Sequence, residues 1–173
     1  MRSRAEKVAF CAIFVALGLV LSYVEAILPI SLIVPIPGIK LGLANLAVML
    51  AFFTLGLSYA YTVSLTRIAL SALLFGSVTS LWFSLAGGLL SLLAVTLYRF
   101  ALKRSCGMVG LSVLCAAMHN VGQCLACAAL FGHYVLFFYL PLLLAVSVVT
   151  GAITGLITHK ILNIKALTKG IPL

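Results

Sequence analysis

Seven polar side chains stand out from an otherwise apolar chain of 173 residues: Glu25, Lys40, Asn45, Arg67, His119, Asn120 and Gln123. Glu25 is one of two acidic residues, and Lys40 is the only basic residue between Lys7 and Arg67. His119 and Gln123 are four apart and share one face of a helix, with Asn120 beside them. Such a set suits recognition of a small solute, in which charge gives affinity and carboxamides set orientation. Lys40 and Arg67 outnumber Glu25, which predicts a solute with at least one anionic group held by Arg67. No catalytic residue and no cofactor is assigned.

The stretch over residues 22–45, SYVEAILPISLIVPIPGIKLGLAN, puts Glu25, Lys40 and Asn45 beside the ends of two apolar segments. Pro29, Pro35 and Pro37 remove backbone donors and fix φ, so the residues before Gly38 are expected to form an ordered, extended loop, a candidate lid. Tyr23 and the apolar loop 30–36 would cover an apolar part of the solute, which suits an isoprenoid-like or aromatic acid.

What must position these residues is a membrane bundle. The chain is 65% hydrophobic and 8% charged, with a mean hydropathy of +1.33, whereas soluble domains carry about 25% charged residues. Apolar runs of about 20 residues cross roughly 30 Å of hydrocarbon, and the chain has room for about six. The formal charge of +9 sits at helix ends and not on an aromatic-interleaved surface, so it reports orientation and no nucleic-acid partner. Residues 8–27 are long enough to span and no small-residue cleavage site stands out, so the first helix is expected to stay rather than leave as a signal peptide. Cys11, Cys106, Cys115, Cys124 and Cys127 read as small apolar core residues.

Hydropathy and breakers predict helices over 5–27, 41–57, 59–75, 79–101, 108–131 and 135–159. Arg2, Arg4 and Lys7 precede the first, Arg99, Lys103 and Arg104 end the fourth, and Lys160, Lys165 and Lys169 follow the sixth. An all-α integral membrane protein follows, one helical domain over 1–173, N-in and C-in, multi-pass in a bacterial plasma membrane and in contact with its lipid. Arg67 lies mid-helix, where a guanidinium costs at least about 2.5 to 3.5 kcal/mol unless it faces the interior. Gly87 and Gly88 point to close backbone approach or room for a ligand, and Gly151 and Gly155 form a GxxxG packing face. Ala5, Ala9, Ala12 and Ala16 recur at helical spacing as a stripe of small residues, which allows close approach of a helix of this chain or of a separate subunit.

In this topology Tyr23 and Glu25 close helix one, Lys40 and Asn45 open helix two, and Arg67, His119 and Gln123 lie in the outer half of helices three and five. That depth predicts an outward-opening pocket. The opposing reading is structural: Glu25 pairs with Lys40 or Arg67, and Asn45, Asn120 and Gln123 hydrogen-bond between helices. Cys124 and Cys127 form a CxxC, and Cys115 and His119 stand four apart, but no second ligand cluster accompanies them and no metal site is assigned. The chain has no GxxxxGK[ST] loop, so active movement of a solute would be driven by an ion gradient or another subunit.

SYVE at 22–25, PGIKLGLAN at 37–45, Arg67, the pair Gly87 and Gly88, and HNxGQ at 119–123 together resemble the membrane family labelled heptaprenyl diphosphate synthase component I, also called the Gx transporter family. That family is similar in turn to the substrate-binding S components of energy-coupling factor transporters. The resemblance implies six helices, a pocket near the outer face, and an AxxxA face on helix one that docks a transmembrane coupling subunit bound to ATPases. Ala12 and Ala16 give AxxxA here, and Ala5 and Ala9 give a second. The label also raises chain elongation, but prenyl diphosphate synthases hold magnesium with aspartate-rich motifs and this chain has no aspartate. An accessory, noncatalytic role in isoprenoid or quinone metabolism is the alternative it leaves.

Overall fold

The computed structural model describes residues 3–28, 40–102, 107–132 and 135–164, with the side chains of residues 102, 135 and 136 set aside. The loop 30–36 with Pro29, Pro35 and Pro37, and Arg2, Lys103, Arg104, Cys106, Lys165 and Lys169, lie outside the described residues. Six α-helices follow in order: α1 Arg4–Ile27, α2 Asn45–Leu55, α3 Leu57–Leu74, α4 Val78–Leu97, α5 Met108–Phe131 and α6 Val135–Leu162. A π-helical turn, Tyr98–Leu102, continues α4.

Five of the six, all but α2, are long and apolar enough to cross a membrane. The 11 residues of α2 rise only about 16 Å at 1.5 Å per residue, roughly half the hydrocarbon thickness. Every residue from Ala44 through Phe52 is buried. A helix that is apolar all round belongs in a core, and the other five wrap this one. Val48, Met49 and Phe52 meet Leu92 and Val95 of α4, and Leu111 and Cys115 of α5. On the other side Leu46, Ala47, Leu50 and Ala51 meet Phe14 of α1, Val63 of α3 and Leu162 of α6.

That second cluster also takes in Phe10, Met108 and Ile161. The start of α1, the start of α5 and the end of α6 are therefore at one end of the bundle, with Arg4, Lys7 and Lys160 beside them. This is the end that the bias of basic residues leads one to expect in the cytoplasm. Glu6, the second acid, is accounted for locally. Its amide donates to Ser3 Oγ at 3.2 Å while its carboxylate accepts from the Ser3 amide at 3.0 Å, a capping box at the start of α1.

Boundaries differ from expectation mainly around α2. The helix starts at Asn45 and not near residue 41, because Gly42 takes φ +87° and the chain winds in through turns, Asn45 N–H to Gly42 O at 3.0 Å and Leu46 N–H to Leu43 O at 3.0 Å. It ends at Leu55 because Gly56, at φ +102°, reverses the chain into α3 within one residue, a conformation that costs glycine little.

The expected GxxxG face packs α6 on α5. A Cβ on Gly151 would lie 2.5 Å from Val113 Cα, and one on Gly155 would lie 2.8 Å from Val109 Cα. Ser112 and Thr154 hydrogen-bond across the same seam at 2.8 Å. Gly151→Leu should force these backbones apart and cost about 1 to 3 kcal/mol. Circular-dichroism melting in detergent should show a lowered midpoint, whereas Ile153→Leu, on the exposed face of α6, should leave it unchanged.

Candidate functional site

The inner face of α1 is Phe14, Gly18, Ser22 and Glu25, buried at helical spacing. Arg67, on α3, crosses this face and is 1% exposed. Gly18 makes the crossing possible, since a Cβ there would lie 2.5 Å from Arg67 Cδ. Arg67 Nη1 donates to Ser22 Oγ at 3.0 Å. Its Nε and Nη2, both buried, have no hydrogen-bond partner among the described residues.

Residues 40–44 are non-helical, with Lys40, Gly42 and Ala44 buried, so their backbone groups need partners from the protein. Gln123 of α5 supplies two: its Oε1 accepts from the Lys40 amide at 2.8 Å, and its Nε2 donates to the Lys40 carbonyl at 2.7 Å. Glu25 supplies a third, accepting from the Leu43 amide at 2.7 Å. Gln123 also donates to Asn120 Oδ1 at 3.2 Å. Asn120 Nδ2 in turn donates to Leu143 O at 3.2 Å and to Ser147 Oγ at 2.7 Å, both on α6.

The His119 imidazole is held between two glycines. A Cβ on Gly87 of α4 would lie 2.6 Å from Nδ1, and one on Gly42 would lie 3.4 Å from Cδ2. Asn45 Nδ2 at the start of α2 lacks a partner among the described residues, and neither ring nitrogen makes a well-formed hydrogen bond there, although the ring interacts with the Gly87 backbone. Lys40 is buried, and burial lowers its ammonium pKa from the ordinary lysine value; Glu25 opposes the shift and Arg67 adds to it.

Glu25, Lys40, Asn45, Arg67, His119, Asn120 and Gln123 are thus all buried, and hydrogen bonds, shared glycine contacts or electrostatic reach connect them. Tyr23 stands apart. It is 52% exposed, with its ring edge-on to Phe75 at 5.5 Å between centroids. Among the described residues no three His, Cys, Asp or Glu side chains gather as metal ligands, and Cys124 and Cys127 pack with Phe83 and Leu143 in an apolar cluster.

The chain matches a family model described as Heptaprenyl diphosphate synthase component I over residues 14–161. It belongs to that family. No curated protein and no solved structure matches the chain. The match to component I takes in the whole buried cluster, from Gly18 through Gln123, while Ala5, Ala9 and Ala12 precede it. All four stripe alanines, Ala16 included, are exposed, so none of the described helices covers them.

Two contributors were not singled out from the sequence as site residues, Ser22 and Gly18. Both were within reach of periodicity: 14, 18, 22 and 25 are one helical face, opposite the alanine stripe. The backbone of Lys40 and Leu43 carries no side-chain signal at all.

Gln123→Leu should leave the buried Lys40 amide and carbonyl unpaired, at about 1 to 3 kcal/mol for each group. Hydrogen–deuterium exchange should speed up across residues 40–44 while the α5–α6 seam stays protected.

Proposed function

We propose that this chain is a solute-capture protein of the membrane, resembling the S component of an energy-coupling factor transporter: it takes up a small anionic solute from the outer side and works with a transmembrane coupling subunit and its ATPases. What carries this reading is one observation. Asn45 Nδ2, Arg67 Nε and Nη2, and His119 Nδ1 and Nε2 are buried without a well-formed hydrogen bond among the described residues. Buried polar atoms are almost always paired, and an unpaired one costs about 1 to 3 kcal/mol. Interhelical structure accounts for Glu25, Asn120 and Gln123, whose atoms are engaged. It does not account for these five nitrogens, which are mostly donors and suit an acceptor-rich, negatively charged ligand.

The exposed alanine stripe supports the partner half of the reading, since small side chains in a membrane permit close approach of another helix. A second reading is favoured by the family description alone: a noncatalytic membrane component associated with heptaprenyl diphosphate synthesis. In that case the basic end of the bundle would face a soluble prenyltransferase.

Copurification separates the two. Coupling and ATPase subunits in the complex support capture and transport, and a soluble prenyltransferase in their place supports the second reading. Ala12→Phe and Ala16→Phe should weaken association with the coupling subunit while ligand retention stays unchanged. Mass spectrometry of gently purified protein should find an acidic solute that is lost from Arg67→Ala. A retained cation or metal, or undiminished retention in a folded Arg67→Ala protein, would sink the proposal.

A further inference from the structure

We infer that the captured solute presents a singly charged, two-oxygen anion, a carboxylate or its charge equivalent, which lies side-on against the Nε–Nη2 edge of Arg67. This rests on the capture reading above and narrows its ligand class. A guanidinium offers its hydrogens in a fixed planar fork, and the Nε–H and Nη2–H bonds run side by side along one edge. In this protein the opposite end of the group is taken, because Nη1 donates to Ser22 Oγ at 3.0 Å. The stem is pinned as well, with Gly18 leaving room for Cγ and Cδ and no more. The Nε–Nη2 edge is what remains, buried and without a partner among the described residues. Two parallel donors at that spacing match two oxygens on one carbon or phosphorus, a match that neither a halide nor a single carbonyl oxygen makes.

Charge fixes the rest. By formal charge Lys40 and Arg67 exceed Glu25 by one positive unit in the buried cluster. A monoanion cancels that charge. A diphosphate, with two or more negative charges, would leave an uncompensated charge where desolvation is expensive. The site is therefore matched to an organic acid or a phosphodiester and mismatched to the diphosphate that appears in the family's description. His119 and Asn45, whose nitrogens around Gly42 make no well-formed hydrogen bond among the described residues, would read a neutral polar group on the same molecule.

The test uses the full chain in a neutral maltoside detergent at fixed ionic strength, with benzoate, dimethyl phosphate and inorganic diphosphate as probes. A ligand that binds the folded state alone raises the melting midpoint with the logarithm of its concentration. Benzoate should do so, diphosphate should not, and Arg67→Lys, which keeps the charge and loses the fork, should bind benzoate about tenfold more weakly or worse. A stronger response to dimethyl phosphate than to benzoate would support the same chemistry with a lipid headgroup as its source. If Arg67→Lys fails to fold, wild-type protein labelled with ¹⁵N-arginine decides, since the slowly exchanging Arg67 Nε–H signal should move on adding benzoate. Equal benzoate binding by the lysine variant overturns side-on recognition and leaves anion capture standing. Tighter binding of diphosphate overturns the charge match. An Nε–H signal unmoved by all three probes overturns the oxyanion site altogether, and an acidic solute found in gently purified protein would show that capture itself survives.

Discussion

A backbone that leaves helical conformation inside a membrane protein must find every hydrogen bond it gives up, because no water is there to replace them. Residues 40–44 are in that position. Their solution is a side chain that acts as a strand would: Gln123 gives the Lys40 peptide one donor and one acceptor, at 2.7 and 2.8 Å. Glu25 adds the acceptor for Leu43. Gln123 is itself oriented by Asn120, and Asn120 by Leu143 O and Ser147 on α6. One chain of hydrogen bonds therefore runs from α6 through α5 to the entry of α2. The same chain, together with the apolar packing of α2, holds Lys40 and Asn45 inside the bundle.

Arg67 presents the same constraint for a charge. A buried guanidinium is tolerated when its stem is packed and its hydrogens are spoken for. Packing is met by Gly18, at a cost of about 1 kcal/mol in helix propensity relative to alanine. The alternative is worse, since alanine would place its Cβ 2.5 Å from Arg67 Cδ. Hydrogen bonding is met on one side by Ser22 and left open on the other. Gly87 stands in the same relation to His119, where the ring is admitted by removing a side chain and then left without a well-formed hydrogen bond at either nitrogen among the described residues. Making room for a polar group without fully pairing it is the pattern that separates Arg67 and His119 from Asn120 and Gln123.

Much of this was legible in the chain itself. The long helices follow from hydropathy, and α5 runs over Met108–Phe131 as the breakers predict. The burial of Glu25, Arg67, His119 and Gln123 follows from the expense of leaving such groups in lipid. The start of α2 did not follow, because the run LGLAN reads as apolar helix until Gly42 takes its positive φ. Nor did the use of Gln123 as a backbone partner. Its partner is 83 residues away, and a backbone amide has no residue type by which it could be picked out. Tyr23, expected to cover an apolar part of the solute, is two residues from Glu25, which is about 200° of helix rotation, and it is exposed where Glu25 is buried.

That rotation also explains how α1 can serve two purposes. The face with Gly18, Ser22 and Glu25 touches Arg67 and the entry of α2, while the face with Ala5, Ala9, Ala12 and Ala16 is open. A helix is stiff along its axis, so a partner that shifted or tilted α1 from the open face would carry Ser22 and Glu25 with it. The contacts it would disturb are hydrogen bonds of 3.0 and 2.7 Å, which weaken steeply with small displacements. The seam between α5 and α6 would be left largely alone away from Phe10 and Phe14, because it is held by close glycine contacts and by Asn120. Docking and solute capture would thus meet on one rigid element, with the yielding contacts on its inner face.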